Sequence, residues 1–412
     1  MVTLEAGWAC ADLSPSLPFP LAGIVTPGGR TAARVLDPTR VTGLALRDRA
    51  GLRGLVAMDL LVVDPALHRE VEERARNLGY QGVFLQASHT HSGMGGTIDR
   101  PLARLFMGRF RPELRALLLE RITRVLAEAQ GDLAPVREVR AGAAKVPGLT
   151  MNRRRTGDPT DDRVLSLELH CEGRDPILLW SMSGHPVAVA FREPLAESAD
   201  YPGRVNRELT ARGLRPLFVL GAVGGLNALF PEFPVALEDH LDLLARLAMD
   251  GLDRARAAAL PDPSPRLTWA RQDVPLRRGG IPRAGGSPAA ALHAGIAALL
   301  GYLFAAAVAP REVHVPVILL GIGPVGIVGI PADFGVRGVL RIREALGPGD
   351  LGVAASHANG FVGYVHLPED YTWSREVVPA MFHYENAMGW YGRDTGRRLV
   401  DAAVELARAR PA

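Results

Sequence analysis

Gly82-Val-Phe-Leu-Gln-Ala87-Ser-His89-Thr-His91-Ser-Gly93-Met-Gly-Gly96 is an apolar run that breaks into small residues around two histidines one residue apart. Its first six residues read as a buried strand, and side chains two apart on a strand share a face. Both imidazoles can therefore turn into one pocket. Neutral imidazole is the commonest ligand for zinc, and the glycines that follow let backbone or substrate come close. The same pair would also serve as solvated or hydrogen-bonded histidines at a strand end with no metal, so the rest of the chain has to decide.

Working outward, β and α patterns alternate. Val41 to Asp48 and Gly54 to Val63 read as strands around a turn at Arg49-Ala50-Gly51, and the chain from Met1 to Trp8 runs into a first strand. Pro65 to Gly79 reads as a helix with Asp64 as N-cap, proline at the first position and glycine past the end. Pro112 to Ala129 is an amphipathic helix closed by Gly131. Strands follow at Val164–His170, Ile177–Met182 and Leu217–Ala222, then a helix from Leu237 to Leu260. Pro261 to Pro288 is rich in Pro, Gly, Arg and Ser and reads as a loop. Val313–Ile322 and Val325–Ile330 form a hairpin pattern, followed by a helix from Gly335 to Leu346, a strand near Gly352–Ala355, a long loop and a closing helix, Thr395–Arg408. The fold class is α/β (α+β): mixed β-sheets flanked by helices in a single large catalytic domain spanning 1–412, with an excursion at 261–310.

With 412 residues, 48% of them hydrophobic and 22% charged, the chain can bury a large core alone. Its 47 basic and 44 acidic residues give a net charge of +3, and no basic run longer than Arg153-Arg154-Arg155 exists to suggest a nucleic-acid partner. Cys10 and Cys171 are too few for a disulfide framework or a cysteine-rich zinc site and read as reduced and buried. The N-terminal residues show no basic and apolar leader pattern, which gives a cytoplasmic expectation. Ala289 to Ala309 is almost wholly apolar and long enough to cross a bilayer. Its alanine richness, with His293, Gly295 and Gly301, favours a buried or groove-lining helix over a membrane span, and leaves peripheral membrane contact open.

Four further places bear on the histidine pair. Trp180-Ser-Met-Ser-Gly-His185-Pro186 puts a histidine where an apolar strand ends, as a ligand or as a capped core histidine. Gly329-Ile-Pro-Ala-Asp333-Phe334-Gly335 carries a carboxylate at a helix start, where N-capping is the plain reading. Met151-Asn152-Arg153 precedes a polar loop, and an arginine there is ordinarily solvated. Ala358-Asn-Gly-Phe-Val-Gly-Tyr364-Val-His-Leu-Pro-Glu369-Asp-Tyr371, continuing to His383-Tyr384-Glu385-Asn386, is a long aromatic and acidic loop, and structureless loops of such length are usually functional.

In this order, His-Thr-His-Ser-Gly-x-Gly-Gly, Asn-Arg, a strand ending His-Pro, Pro-x-Asp-Phe, Gly-Tyr-Val-x-x-Pro-Glu-x-Tyr and Tyr-Glu, the motifs resemble the neutral/alkaline ceramidase family. The resemblance runs from Gly7-Trp-Ala-Cys-Ala-Asp12 to Tyr384-Glu385-Asn386. It implies one zinc held by two histidines, a carboxylate and a tyrosine, and hydrolysis of the amide joining a fatty acid to sphingosine. Carried over, His89 and His185 are the histidine ligands, Asp333 the carboxylate and Tyr384 the phenol, while His91 and Arg153 are catalytic. The choice of His89 over His91 as ligand rests on the resemblance alone.

Three departures qualify it. The family's catalytic serine is missing from the corresponding Gly221-Ala-Val-Gly-Gly-Leu-Asn227, Asp333 stands where glutamate is usual, and the family's C-terminal immunoglobulin-like domain and secretion signal are not in the sequence. The resulting expectation is a zinc-dependent amidase that cleaves, or in reverse forms, an N-acyl amide through activated water, its partner a small N-acyl amide or lipid-like substrate. Phe361-Val362, Trp373, Met381-Phe382 and Trp390-Tyr391, with the Ala289–Ala309 segment, could line an acyl groove. The alternatives are a metal-dependent esterase or lactonase, or a metal-free protein that binds acylated ligands without turning them over.

Overall fold

Alternation along the strands builds two cores at once. Leu44, Leu46, Leu165, Leu167, Leu169, Leu217 and Val219 share one apolar cluster with Ile318, Leu320, Ile322 and Ile327. Their neighbours Val41, Ala45, Phe218 and Trp180 point the other way, into clusters made with helices. Two sheets thus pack face to face, with helices covering each outer face, and the strands are buried on both sides. The computed structural model describes residues 4–26, 29–100, 103–155, 157–230, 235–279, 309–347, 351–371, 385–386 and 388–410.

The larger sheet runs Arg215–Leu220, Ile177–Met182, Arg163–Cys171, Ala134–Lys145, Glu5–Asp12, Arg40–Asp48, Gly51–Met58 and Tyr80–Ala87, with Leu260–Asp262 added beside Ala134–Lys145. Its two outermost pairs are parallel and the inner ones antiparallel. The smaller sheet runs Leu267–Arg277, Glu312–Ile322, Val325–Gly329 and Gly352–Ala355. Helices Pro65–Asn77 and Pro112–Gly131 lie over one half of the larger sheet, and Asp200–Ala211 and Leu237–Ala257 over the other. Val336–Ala345 and Thr395–Arg408 cover the smaller sheet. Gly7 lets Pro112–Gly131 settle this close, since a Cβ there would stand 2.1 Å from the Ala129 carbonyl oxygen.

Most expected elements are present within a residue or two. Asp64 caps its helix as read, accepting from Ala66 N at 2.9 Å and Leu67 N at 3.1 Å. Its second oxygen takes Arg115 Nη1 at 2.8 Å, tying the first helix to the next. Asp64→Ala is expected to lower stability by about 1 kcal/mol for the cap alone, with more for the half-buried ion pair; urea unfolding measures the sum.

The structure corrects several readings. The strand read to Val63 ends at Met58, and Pro261 to Pro288 is not one loop. Leu267–Arg277 pairs with Glu312–Ile322 along all eleven positions, from Leu267 against Ile322 to Arg277 against Glu312. As an edge strand it tolerates Pro275 and carries Arg271, Gln272 and Asp273, the polar content that hid it. Ala134–Lys145 and Asp200–Ala211 were not anticipated. Cys171 is buried and free as expected, whereas Cys10 is free but partly exposed. Residues 289–308 lie outside the described residues, and among the latter no helix is long and apolar enough to cross a membrane.

Candidate metal centre

The C-terminal ends of strands from both sheets meet at one point. Tyr80–Ala87 delivers His89 and His91, Ile177–Met182 delivers His185, Arg215–Leu220 leads into Gly221 to Asn227, and Val325–Gly329 leads to Asp333. Crossing bonds lock the edges together: Ser356 N donates to Leu220 O at 3.2 Å, and Leu85 N donates to Asn359 Oδ1 at 2.8 Å. Asp333 does not cap the helix that follows, because Gly335 occupies the N-cap. Asp333 and Phe334 instead form a short strand parallel to Tyr364 and Val365, which places Tyr364 beside Asp333 in register.

The histidines are set by main-chain acceptors. His89 Nδ1 lies 2.7 Å from Leu61 O, and His185 Nδ1 lies 2.7 Å from Leu226 O. A carbonyl oxygen only accepts, so Nδ1 carries a proton in both rings, and in a neutral ring so held Nε2 is the nitrogen that offers a lone pair. Those lone pairs face Asp333 Oδ2, His185 Nε2 at 3.3 Å and His89 Nε2 at 3.6 Å. Donors about 2.0–2.2 Å from a tetrahedral zinc stand roughly 3.3–3.6 Å from one another. His91 Nε2 is 3.1 Å from His89 Nε2, but its Nδ1 has no partner among the described residues. The anchored Nδ1 atoms distinguish His89 and His185 from His91, a distinction that the sequence did not contain.

Electrostatics point the same way. Burial, with the imidazoles around it, holds His89 well below the ordinary histidine range, and burial with His185, Arg30 and Arg153 does the same for His91. Burial would raise Asp333, but His185 and His357 outweigh it and keep the carboxyl well below its usual range. Neither Asp333 oxygen has a hydrogen-bond partner among the described residues. An ionised carboxylate facing neutral lone pairs in a dry site is a cation's donor set, so the residues present fit a zinc ion.

Arg153 is not solvated. Its Nη2 is 2.8 Å from Glu385 Oε1, Nη1 donates to Asn227 Oδ1 at 3.1 Å and Nη2 also reaches Tyr364 Oη at 3.3 Å. Glu385 is fully buried between Arg153, Arg154 and His366; burial would raise its carboxyl, but Arg153 and these neighbours hold it down to about 2. Tyr364 Oη lies 3.5 Å from His185 Nε2. His89, His91, His185, Asp333 and Arg153 are thus brought together, while Tyr384 lies outside the described residues. Tyr364, His357, Glu385 and Asn227 were missed as members. Tyr364 and Glu385 stood inside quoted motifs, and the signal that could have found Asn227 was its place at the end of the Gly221–Asn227 segment, in the short strand Leu226–Ala228.

The segment that lacks the family's serine contributes mainly backbone. Gly225 O accepts from Arg153 N at 2.8 Å, and Leu226 O takes His185. Gly224 passes so close to the Asp333 segment that a Cβ would sit 2.7 Å from Gly335 N and Phe334 C. Gly224→Ala is expected to cost about 1–3 kcal/mol by overpacking and to shift Asp333; thermal unfolding and metal content read the two effects.

None of His89, His91, Arg153, His185 and Asp333 lines the cavity of about 710 Å³ beside Phe361, whose ring stands 5.4 Å from that of His357. Phe361, Trp390, Tyr391 and Ala309 line it, as the expected groove requires, together with charged residues such as Arg69, Arg115 and Asp273. Val362 instead belongs to the core, and Trp373, Met381 and Phe382 lie outside the described residues.

Fold and site together define a four-layer α/β protein with a buried histidine–carboxylate cluster able to hold a metal ion. Its fold is that of the neutral ceramidases. The crystal structure of neutral ceramidase from Pseudomonas aeruginosa matches with a TM-score of 0.78 at 18% identity, covering 100% of this chain and 76% of that one. A ceramidase complexed with C2 matches with a TM-score of 0.79 at 17% identity, covering 99% and 75%. No family model matches the sequence, and no curated protein matches it.

Proposed function

We propose that this protein is a zinc-dependent amidohydrolase of the neutral ceramidase family that cleaves an N-acyl amide bond. The observation that carries the reading is the pair of imidazoles, each anchored through Nδ1 to a carbonyl and aimed through Nε2 at Asp333, within the ceramidase fold. His89, His185 and Asp333 are three of the ligands, and a phenol is the fourth. Proximity favours Tyr364 and the resemblance favours Tyr384, so zinc affinity in Tyr364→Phe and Tyr384→Phe separates them.

Zinc in such a site supplies Lewis acidity and a water ionised near pH 7. Arg153, held in orientation by Glu385 and Asn227, faces the negative charge that develops on the amide oxygen; a well-placed donor of this kind contributes about 3 kcal/mol. His91, neutral through burial and unanchored at Nδ1, takes the proton released on attack and passes it to the leaving amine. No serine is needed at Gly221.

The substrate is an N-acyl amide, ceramide or a smaller one. The mixed lining of the cavity that Phe361 links to His357, apolar through Phe361 and Trp390 and charged through Arg69 and Asp273, suits a molecule with an acyl part and a polar part. Stripping the protein with a chelator is expected to abolish amide hydrolysis across a panel of N-acyl compounds, and zinc to restore it. Full turnover after metal removal sinks the mechanism. Turnover of esters or lactones alone makes it an esterase, and tight binding of acylated ligands with no turnover makes it a binding protein.

A further inference from the structure

We propose that His357 is a positioning residue of the centre, which orients the Asp333 carboxylate and backs the ring of His89. The inference rests on the metal-centre reading above. His357 follows the strand Gly352–Ala355 and is completely buried. Its backbone bridges the two ligand-bearing segments: its N–H donates to Ala332 O at 2.9 Å, and its carbonyl accepts from Ala87 N at 3.2 Å. One link ends just before Asp333 and the other just before His89.

The side chain continues that bridge. Its ring stacks on His89 with centroids 3.8 Å apart and 12° between planes, and its other face meets Phe361 at 5.4 Å and 24°. Nε2 lies 3.7 Å from Asp333 Oδ2. Neither ring nitrogen has a hydrogen-bond partner among the described residues, and Asp333 Oδ2 is the carboxylate oxygen that Nε2 faces, beyond direct hydrogen-bond range. Asp333 has a single methylene of reach, and among the described residues His89, His185 and His357 bring basic nitrogens within 4 Å of its Oδ2.

The donor atoms of His89, Asp333 and His357 lie within 4.8 Å of one another, but ring geometry argues against His357 as a ligand. Imidazoles that share one tetrahedral ion diverge, with centroids roughly 5 Å apart. His89 and His185 fit this at 4.8 Å and 66°, whereas His89 and His357 are too close and too nearly parallel. His357 also lacks the Nδ1-to-carbonyl anchor of the other two. Its backbone sits at φ +52°, where an ordinary L residue is disfavoured by about 1–2 kcal/mol and glycine is not. A histidine held there is kept by what its side chain touches.

Metal affinity is the direct readout, measured by chelator competition on the whole protein loaded with zinc and by the visible spectrum of the cobalt-substituted form. His357→Phe keeps the stack and loses the donor, and His357→Ala loses both; each is expected to weaken zinc about 10- to 100-fold, with cobalt band positions unchanged. His357→Gln, which restores an N–H, is expected to recover most of the loss. Should the alanine variant fail to fold, the phenylalanine and glutamine variants decide. Unchanged affinity in His357→Phe overturns the proposal, and so does a cobalt spectrum reporting a different ligand count, which would make His357 a ligand. A parent protein that takes up neither zinc nor cobalt removes the metal-centre reading, and this proposal with it.

Discussion

His89→Ala and His185→Ala proteins are expected to retain little zinc, whereas the parent carries about one zinc per chain. Each substitution removes an Nε2 donor and leaves the remaining carboxylate and imidazole short of zinc's preferred four ligands. The loss should exceed the roughly 10- to 100-fold typical of outer partners, enough to empty the site during dialysis against a chelator. Elemental analysis of the purified variants measures it. Parent-like zinc in both would remove the metal centre from these residues. Zinc lost in His91→Ala but kept in His89→Ala would show that the ligand and proton-transfer roles are exchanged.

The strands were legible wherever both faces are buried. Ile177–Met182 was read correctly to the residue because an apolar run broken only by Ser181, in a strand buried on both faces, leaves no polar alternation to misread. Leu267–Arg277 was missed for the converse reason, since an edge strand buries only Val274 and Leu276 outright and shows charge elsewhere. Ala134–Lys145 escaped because its inward side chains are mostly alanine and valine between arginines and glutamates. Its position in the middle of the sheet is fixed by the register with Arg163–Cys171, a long-range fact.

The site was legible as a set of residue types and illegible as a geometry. His89, His185 and Asp333 come from three separate strand ends, and only the folded chain shows both Nε2 atoms 3.3 to 3.6 Å from Asp333 Oδ2. Asp333 looked like a helix cap because a glycine two residues later can take that place without a side chain. His357 carried no motif at all: its meaning lies in stacking and in a left-handed backbone, neither of which leaves a spacing in the sequence. Tyr364 was in plain view within Gly-Tyr-Val, and its strand register against Asp333 marks it.

Arg153→Ala and His91→Ala are expected to keep the zinc and lose the chemistry. Arg153 reaches Tyr364 but has no hydrogen bond to His89, His185 or Asp333, so its removal leaves these three ligands in place while deleting a donor aimed at developing charge; the expected fall in kcat is about 10²–10³-fold. His91→Ala should lower kcat about 10²–10⁴-fold through loss of proton transfer. Arg153→Lys is not expected to rescue, because a single ammonium cannot reproduce the fork that reaches Glu385, Asn227 and Tyr364 together. Steady-state kinetics on a zinc-loaded series separate the outcomes. A rise in KM with kcat unchanged would make Arg153 a substrate-binding group, and parent-like kcat in the His91 variant would assign the proton transfer elsewhere. Tyr364 is the next group at the centre to test, since its hydroxyl touches both His185 and Arg153.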